Sequence, residues 1–272
     1  MVKKKVLIIG ATGMLGHVVY SYLEQLDKYS LFNSVYRTKL TDDSIICNVK
    51  DGNALKQLFL KTKPDIVLNC VGALIKESKE NPTSAIYLNG LFPNILKKYS
   101  DEHNAKLIHI STDCVFSGSK GTYLEDDFRD ADDLYGRSKA IGEIFDAPHC
   151  TLRTSIIGPE LKENGTGLFH WFMQQTGEIK GYTKVYWNGV TTLELAKAIE
   201  KAITNDLKGL LHVTNGKKIS KYDLLHLFNQ FKPEALKILP FSNYEVDKSL
   251  KKSDRFDFQV PDFEDMVRNM NV

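Results

Sequence analysis

The 272-residue sequence predicts an α/β fold: a doubly wound parallel sheet followed by a smaller carboxy-terminal lobe. Three observations carry that expectation. Short apolar β-runs alternate with helical patterns from residue 1 to residue 157. The first run, Val6-Leu7-Ile8-Ile9, opens into Gly10-Ala11-Thr12-Gly13-Met14-Leu15-Gly16 and then a helix reaching about Leu26, so strand, glycine turn and helix come in that order. The run 64–72 is apolar almost throughout, as a parallel strand covered on both faces requires.

Composition narrows the function classes. Charged residues make up 26% of the chain and the net charge is +2, an ordinary balance that gives no argument for nucleic acid as a partner. The longest apolar stretch, 66–75, is interrupted by Asn69 and is too short to cross a bilayer. Lys3, Lys4 and Lys5 precede an apolar run as in a signal peptide, but that run enters a glycine loop instead of a cleavage site and so reads as the first strand. Cys47, Cys70, Cys114 and Cys150 lack metal-ligand spacing and read as reduced thiols of a cytoplasmic protein. His109 and His212 fall within strands and read as structural, and no metal site is expected.

In the glycine turn, Gly10 permits the tight bend, Gly13 lets the backbone approach a pyrophosphate, and Gly16 allows close helix-to-strand packing. The helix amino terminus offers free N–H groups to the phosphates, and Thr12, Met14 and Leu15 complete this Rossmann-type cofactor-binding turn. A second strand, 31–36, ends at Arg37-Thr38-Lys39 with no acidic residue to hold the adenosine ribose, so Arg37 with Lys39 favours NADPH, NADH remaining an alternative. Residues 44–47 form a short third strand, and 51–61 a helix with Asp51 as its cap. The strand 64–72 brings Cys70, Val71 and Gly72 beside the cofactor's ribose and nicotinamide, because ligands of open α/β sheets lie outside the carboxyl ends of strands. A long helix, 82–100, carries Asn89 among apolar neighbours, where it bridges backbone groups. The strand 106–110 then delivers Ser111 and Thr112 to the same edge of the sheet.

Tyr135 and Lys139 are four residues apart, one turn of a helix, and so share a face. A tyrosine titrates near pH ~10. A nearby ammonium stabilises the phenolate and draws the phenol toward the working pH, where general acid-base catalysis is most efficient. Thr112 holds a substrate oxygen beside that phenol. Beyond this helix, 150–157 reads as a sixth strand, 165–175 as a helix, 185–187 as a strand, 193–203 as an amphipathic helix and 209–213 as a strand. A helix over 220–231, capped by Ser220, and a final one over 263–270 complete the chain. On this reading, 1–157 with 183–206 form the NADP-binding domain and 158–182 with 207–272 the substrate-binding lobe.

The spacing Gly-x-x-Gly-x-x-Gly resembles the extended branch of the short-chain dehydrogenase/reductases. Within that branch, Ser111-Thr112-Asp113-Cys114-Val115-Phe116 with Gly118, Tyr123 and Glu125, then Tyr135-Gly136-Arg137-Ser138-Lys139 and Leu152-Arg153-Thr154-Ser155, resemble the signature of dTDP-4-dehydrorhamnose reductases. The resemblance implies NADPH-dependent reduction of the 4-keto group of a nucleotide-linked 6-deoxyhexulose, for deoxysugar and surface polysaccharide biosynthesis. It implies that Tyr135 donates the proton and that Lys139 tunes Tyr135 and holds the nicotinamide ribose. Thr112, Asp113, Cys114, Val115, Tyr135 and Arg153 would then meet the sugar nucleotide, and Asn48 and Val49 the adenine. Two departures, Cys114 where the family commonly has tyrosine and the reduced motif Tyr186-Trp187-Asn188-Gly189-Val190-Thr191-Thr192, leave the sugar and the nucleotide open. Some relatives use magnesium at a dimer contact; no carboxylates for it are placed here, and a homodimer stays open. A 4,6-dehydratase would carry glutamate in place of Cys114. An epimerase shares the Tyr and Lys, and a non-catalytic NADP-binding regulatory subunit is the remaining alternative.

Overall fold

The structure, a computed structural model, describes residues 2–270. The chain begins β1 (Lys4–Ile9), α1 (Gly16–Leu26), β2 (Tyr29–Val35), β3 (Ile45–Ile46), α2 (Gly52–Thr62) and β4 (Ile66–Asn69). It continues with α3 (Ile75–Glu80), α4 (Pro82–Ala85), a π-helical turn (Ile86–Leu91), α5 (Phe92–Glu102), β5 (Lys106–Thr112), α6 (Leu134–Ile141) and β6 (Cys150–Thr154). Next come β7 (Ile156–Ile157), α7 (Leu168–Gln174), β8 (Glu178–Tyr182), β9 (Val185–Trp187), β10 (Val190–Thr191) and α8 (Thr192–Thr204). The chain closes with β11 (Gly209–His212), β12 (Ile219–Ser220), α9 (Lys221–Phe228), β13 (Lys237–Phe241), β14 (Val246–Asp247) and α10 (Phe263–Arg268).

Seven strands make one parallel sheet in the order β11-β6-β5-β4-β1-β2-β3. The two-residue period of β1 explains the double covering. Val6 and Ile8 pack on one face with Val19 and Leu23 of α1 and Leu195, Ile199 and Ile203 of α8. Leu7 and Ile9 pack on the other with Leu55, Leu58 and Phe59 of α2 and Phe92 and Leu96 of α5. All four β1 side chains are fully buried, each contributing about 1.5–3 kcal/mol, which is why an uninterrupted apolar run is needed there. A separate core, with Phe169, Phe172, Trp187, Leu224 and Phe228, holds the smaller lobe, where Phe169 and Phe228 meet edge to face at 5.1 Å.

Three expectations need correction. The lobe boundary at 207 gave the strand 209–213 to the substrate lobe, whereas β11 pairs in parallel with β6, Gly209 opposite Cys150 and His212 opposite Arg153. Leu210 and Leu211 are buried because the elements packed on the two faces of the central sheet cover them. The strand 150–157 divides after Thr154, and β7 leaves the sheet to pair with β10. The helix 82–100 is interrupted by the π-helical turn, in which the Phe92 N–H bonds the Tyr87 carbonyl. Pro93 has no N–H to offer the Asn89 carbonyl four residues back, and the backbone at Gly142 lies so close that a Cβ there would stand 1.9 Å from that same oxygen.

Candidate active site

The glycine turn is built as a cradle. Gly10 has φ +86°, and a Cβ on it would lie 2.8 Å from Val71 Cγ2 and 3.1 Å from the Cys70 carbonyl carbon. At Gly16 a Cβ would stand 2.2 Å from the Gly10 oxygen, so only glycine lets α1 start this close to β1. The Gly10 and Ala11 N–H groups both bond the Ser34 carbonyl at 3.0 Å, tying the turn to β2. Leu15 at the head of α1 supplies no side-chain cap, which leaves first-turn N–H groups for an anion. These features fit a dinucleotide pyrophosphate. Thr12 lines the cavity next to the turn together with Thr38 and Lys39. Arg37 is exposed and stacks on its neighbour Tyr36, its guanidinium carbon 4.7 Å from the ring centroid, and is not among the residues lining that cavity. Asn48 is exposed and accepts the Lys50 N–H, while Val49 is half-buried with its carbonyl bonded by the Tyr87 hydroxyl.

At the carboxyl end of β4, Asn69 Oδ1 accepts the Val71 N–H at 3.1 Å and so shapes the chain through Cys70, Val71 and Gly72. Burial pushes the Cys70 thiol up to about 12. One residue beyond Gly72, Ala73 is held at both ends by Asn89, whose Oδ1 accepts its N–H and whose Nδ2 donates to its carbonyl. The same Nδ2 donates to Ser138 Oγ at 3.1 Å, so the π-helical turn joins the loop after β4 to α6 next to Lys139.

Helix α6 starts at Asp133, whose carboxylate accepts the Gly136 N–H at 2.8 Å. A Cβ at Gly136 would be 2.2 Å from the Cys114 carbonyl oxygen, so this glycine lets the helix press against the turn that follows β5. That approach brings Tyr135 to Thr112, whose hydroxyl favours the phenolate. Burial and the Cys114 thiol outweigh it and hold the phenol above its ordinary value. The Lys139 ammonium donates to the Ile110 carbonyl at 2.7 Å. Burial lowers Lys139 itself to about 8, with Glu143 acting against that shift.

Thr112 donates to Asp113 Oδ1 at 3.0 Å and accepts the Cys114 N–H at 3.1 Å. Burial raises Asp113, opposed chiefly by Lys248, then by the Thr112 hydrogen bond and Lys221. Burial also pushes the Cys114 thiol up to about 12, leaving it neutral at physiological pH. Two expected substrate contacts lie elsewhere. Val115 is fully buried against Phe116, Tyr123 and Leu250, since the short turn Asp113–Val115 points it into the core. Arg153, fully buried, grips Glu143 with two bonds of 2.7 Å, donates to His212 Nε2 at 2.8 Å and lies over Phe116. A buried guanidinium needs a carboxylate, and Glu143 supplies it.

Glu143 was missed from the sequence. Its carboxylate also accepts from Ser111 Oγ at 2.6 Å, immediately before Thr112. The signal was its spacing, four residues after Lys139 as Lys139 is four after Tyr135. Among the described residues no group of three or more His, Cys, Asp or Glu is arranged to hold a metal, and no helix is long and apolar enough to cross a membrane.

Known proteins resemble the chain along most of its length. The beta subunit of methionine adenosyltransferase 2 from Bos taurus is 32% identical over 141 residues, covering 52% of this chain but only 42% of that protein. The spore coat polysaccharide biosynthesis protein SpsK of Bacillus subtilis is 29% identical over 226 residues, 80% of this chain and 76% of its own. Among solved structures, dTDP-4-dehydrorhamnose reductase from Bacillus anthracis in complex with NADP superposes with a TM-score of 0.84 at 20% identity, covering 99% of each chain. MoeE5 in complex with UDP-glucuronic acid and NAD gives 0.78 at 14% identity, covering 98% of this chain and 97% of its own. The profile described as RmlD substrate binding domain matches residues 4–264, nearly the whole chain, and the protein therefore belongs to that family.

Proposed function

We propose that this protein is an NADPH-dependent reductase of the 4-keto group of a nucleotide-linked 6-deoxyhexulose, acting in the cytoplasm in deoxysugar biosynthesis. The observation that supports the reading is Tyr135 brought against Thr112 by a helix that also carries Lys139, at the carboxyl edge of a sheet whose first turn is built as a cradle. When bound, the nicotinamide cofactor supplies the hydride. Tyr135 gives its proton to the oxygen on which charge develops; its burial keeps that proton in place at neutral pH until it is needed. The Thr112 hydroxyl, which donates to Asp113 in the structure, becomes the second donor to that oxygen on rotating away from the carboxylate, and such a donor is worth about 3–4 kcal/mol. The Lys139 ammonium, one turn along α6, swings from the Ile110 carbonyl that it holds in the structure to compensate the phenolate left behind. The neutral Cys114 thiol supplies no second acid, which disfavours a dehydratase.

Nucleotide-linked 4-keto sugars, both dTDP- and UDP-linked, screened with NADPH and NADH and followed at the nicotinamide absorbance, test the reading. Consumption of NADPH supports it; a tightly retained NAD with no net consumption would favour an epimerase. The matches to methionine adenosyltransferase beta subunits favour a second reading, a non-catalytic NADP-binding regulatory subunit. Failure across the panel, together with stable association with an unrelated enzyme, would establish that one instead.

A further inference from the structure

A cavity of about 550 Å³ opens between the glycine turn and a part of the chain far away in sequence. One wall is Thr12, Thr38 and Lys39; the other is Lys162, Glu163 and Asn164, from the loop 158–167 between β7 and α7. The loop is seated on the cradle. Glu160 Oε1 accepts the Gly167 N–H at 2.7 Å, and a Cβ on Gly167 would stand 2.5 Å from Met14 Cε. This places 161–164 over the carboxyl end of β2, where a unit of this kind receives the adenosine ribose.

The charges facing that space are two lysines and one glutamate. Lys39 already donates to the Asp42 carbonyl at 2.8 Å. Lys162 is exposed and forms no ion pair among the described residues. A phosphate monoester carries nearly two negative charges at neutral pH. With Lys162 in place the walls are net positive toward it; without Lys162, Glu163 cancels Lys39 and the attraction is gone.

Building on the cofactor reading above, we propose that Lys162 selects the 2′-phosphate of NADP, so that cofactor choice is made jointly by the strand end at Lys39 and by the loop 158–167. Binding of NADP⁺, NAD⁺, adenosine 2′,5′-bisphosphate and AMP is measured by calorimetry on the full chain, with no sugar substrate present. Lys162→Ala should weaken NADP⁺ and the bisphosphate by about five- to tenfold while leaving NAD⁺ and AMP unchanged, and Lys162→Arg should restore the preference. Lys162→Glu should invert it. Equal weakening of both dinucleotides, or no change in either, would overturn the role of Lys162 while leaving the cofactor reading intact. A wild-type protein that binds neither dinucleotide would overturn both.

Discussion

Replacing Glu143 by glutamine tests the buried pair under the site. The Arg153 and Glu143 side chains are both inaccessible to solvent, and two 2.7 Å bonds join them. The amide keeps one acceptor, which can still serve Ser111, but its NH₂ group meets the guanidinium and the positive charge of Arg153 is left uncompensated. Arg129, 3.6 Å from the carboxylate and about one-third exposed, can turn to water and needs no rescue. Breaking a buried pair on one side costs about 3–5 kcal/mol. Urea unfolding followed by fluorescence of the two tryptophans reads this as a lower midpoint at unchanged slope. The double variant Glu143→Gln, Arg153→Met removes the stranded charge and should recover most of the loss. A single variant that loses less than about 1 kcal/mol, or a double variant weaker than the single, would refute the assignment of Arg153 to a structural pair.

Tyr135→Phe should lower keto-sugar turnover by orders of magnitude while calorimetric NADP⁺ affinity is kept; near-normal turnover would remove the phenol from the chemistry. Gly136→Ala forces a Cβ to within 2.2 Å of the Cys114 oxygen, so α6 must retreat from Thr112, with a stability loss of about 1–3 kcal/mol and a fall in kcat seen in parallel assays. Because burial lowers Lys139 in the folded protein from 10.5 to about 8, kcat/KM should decline as pH rises past that value and the ammonium is lost. Between those two values the unfolded chain holds the proton that the folded one has released, so folding stability should rise with pH across that window, and Lys139→Met should abolish the rise in urea midpoints.

The parts legible in the sequence were those written in local pattern. Val6 to Ile9, Gly10 and Gly16 declare a strand and a turn by run length and by the absence of side chains, and the Tyr135–Lys139 spacing declares a shared face. What escaped depended on partners distant in the chain. Arg153 resembles a substrate contact until Glu143 and His212 are seen to enclose it. The interruption at Ile86–Leu91 follows from Pro93 and the approach of Gly142, which no helical periodicity encodes. Residues 209–213 look alike whether they join the central sheet or the lobe, because an apolar run records burial and not which strand lies beside it.

The excursion of the chain between β6 and β11 has a consequence for how the protein can be divided. β11 closes the sheet on the far side of β6, after α7, α8 and most of the lobe's first strands have been made. A fragment ending at 157 would bare the hydrogen-bonding flank of Cys150–Thr154, a ready template for stray strands. The two halves of this chain are therefore not separate cassettes; swapping substrate preference by grafting would have to carry the returning strand along with its host sheet.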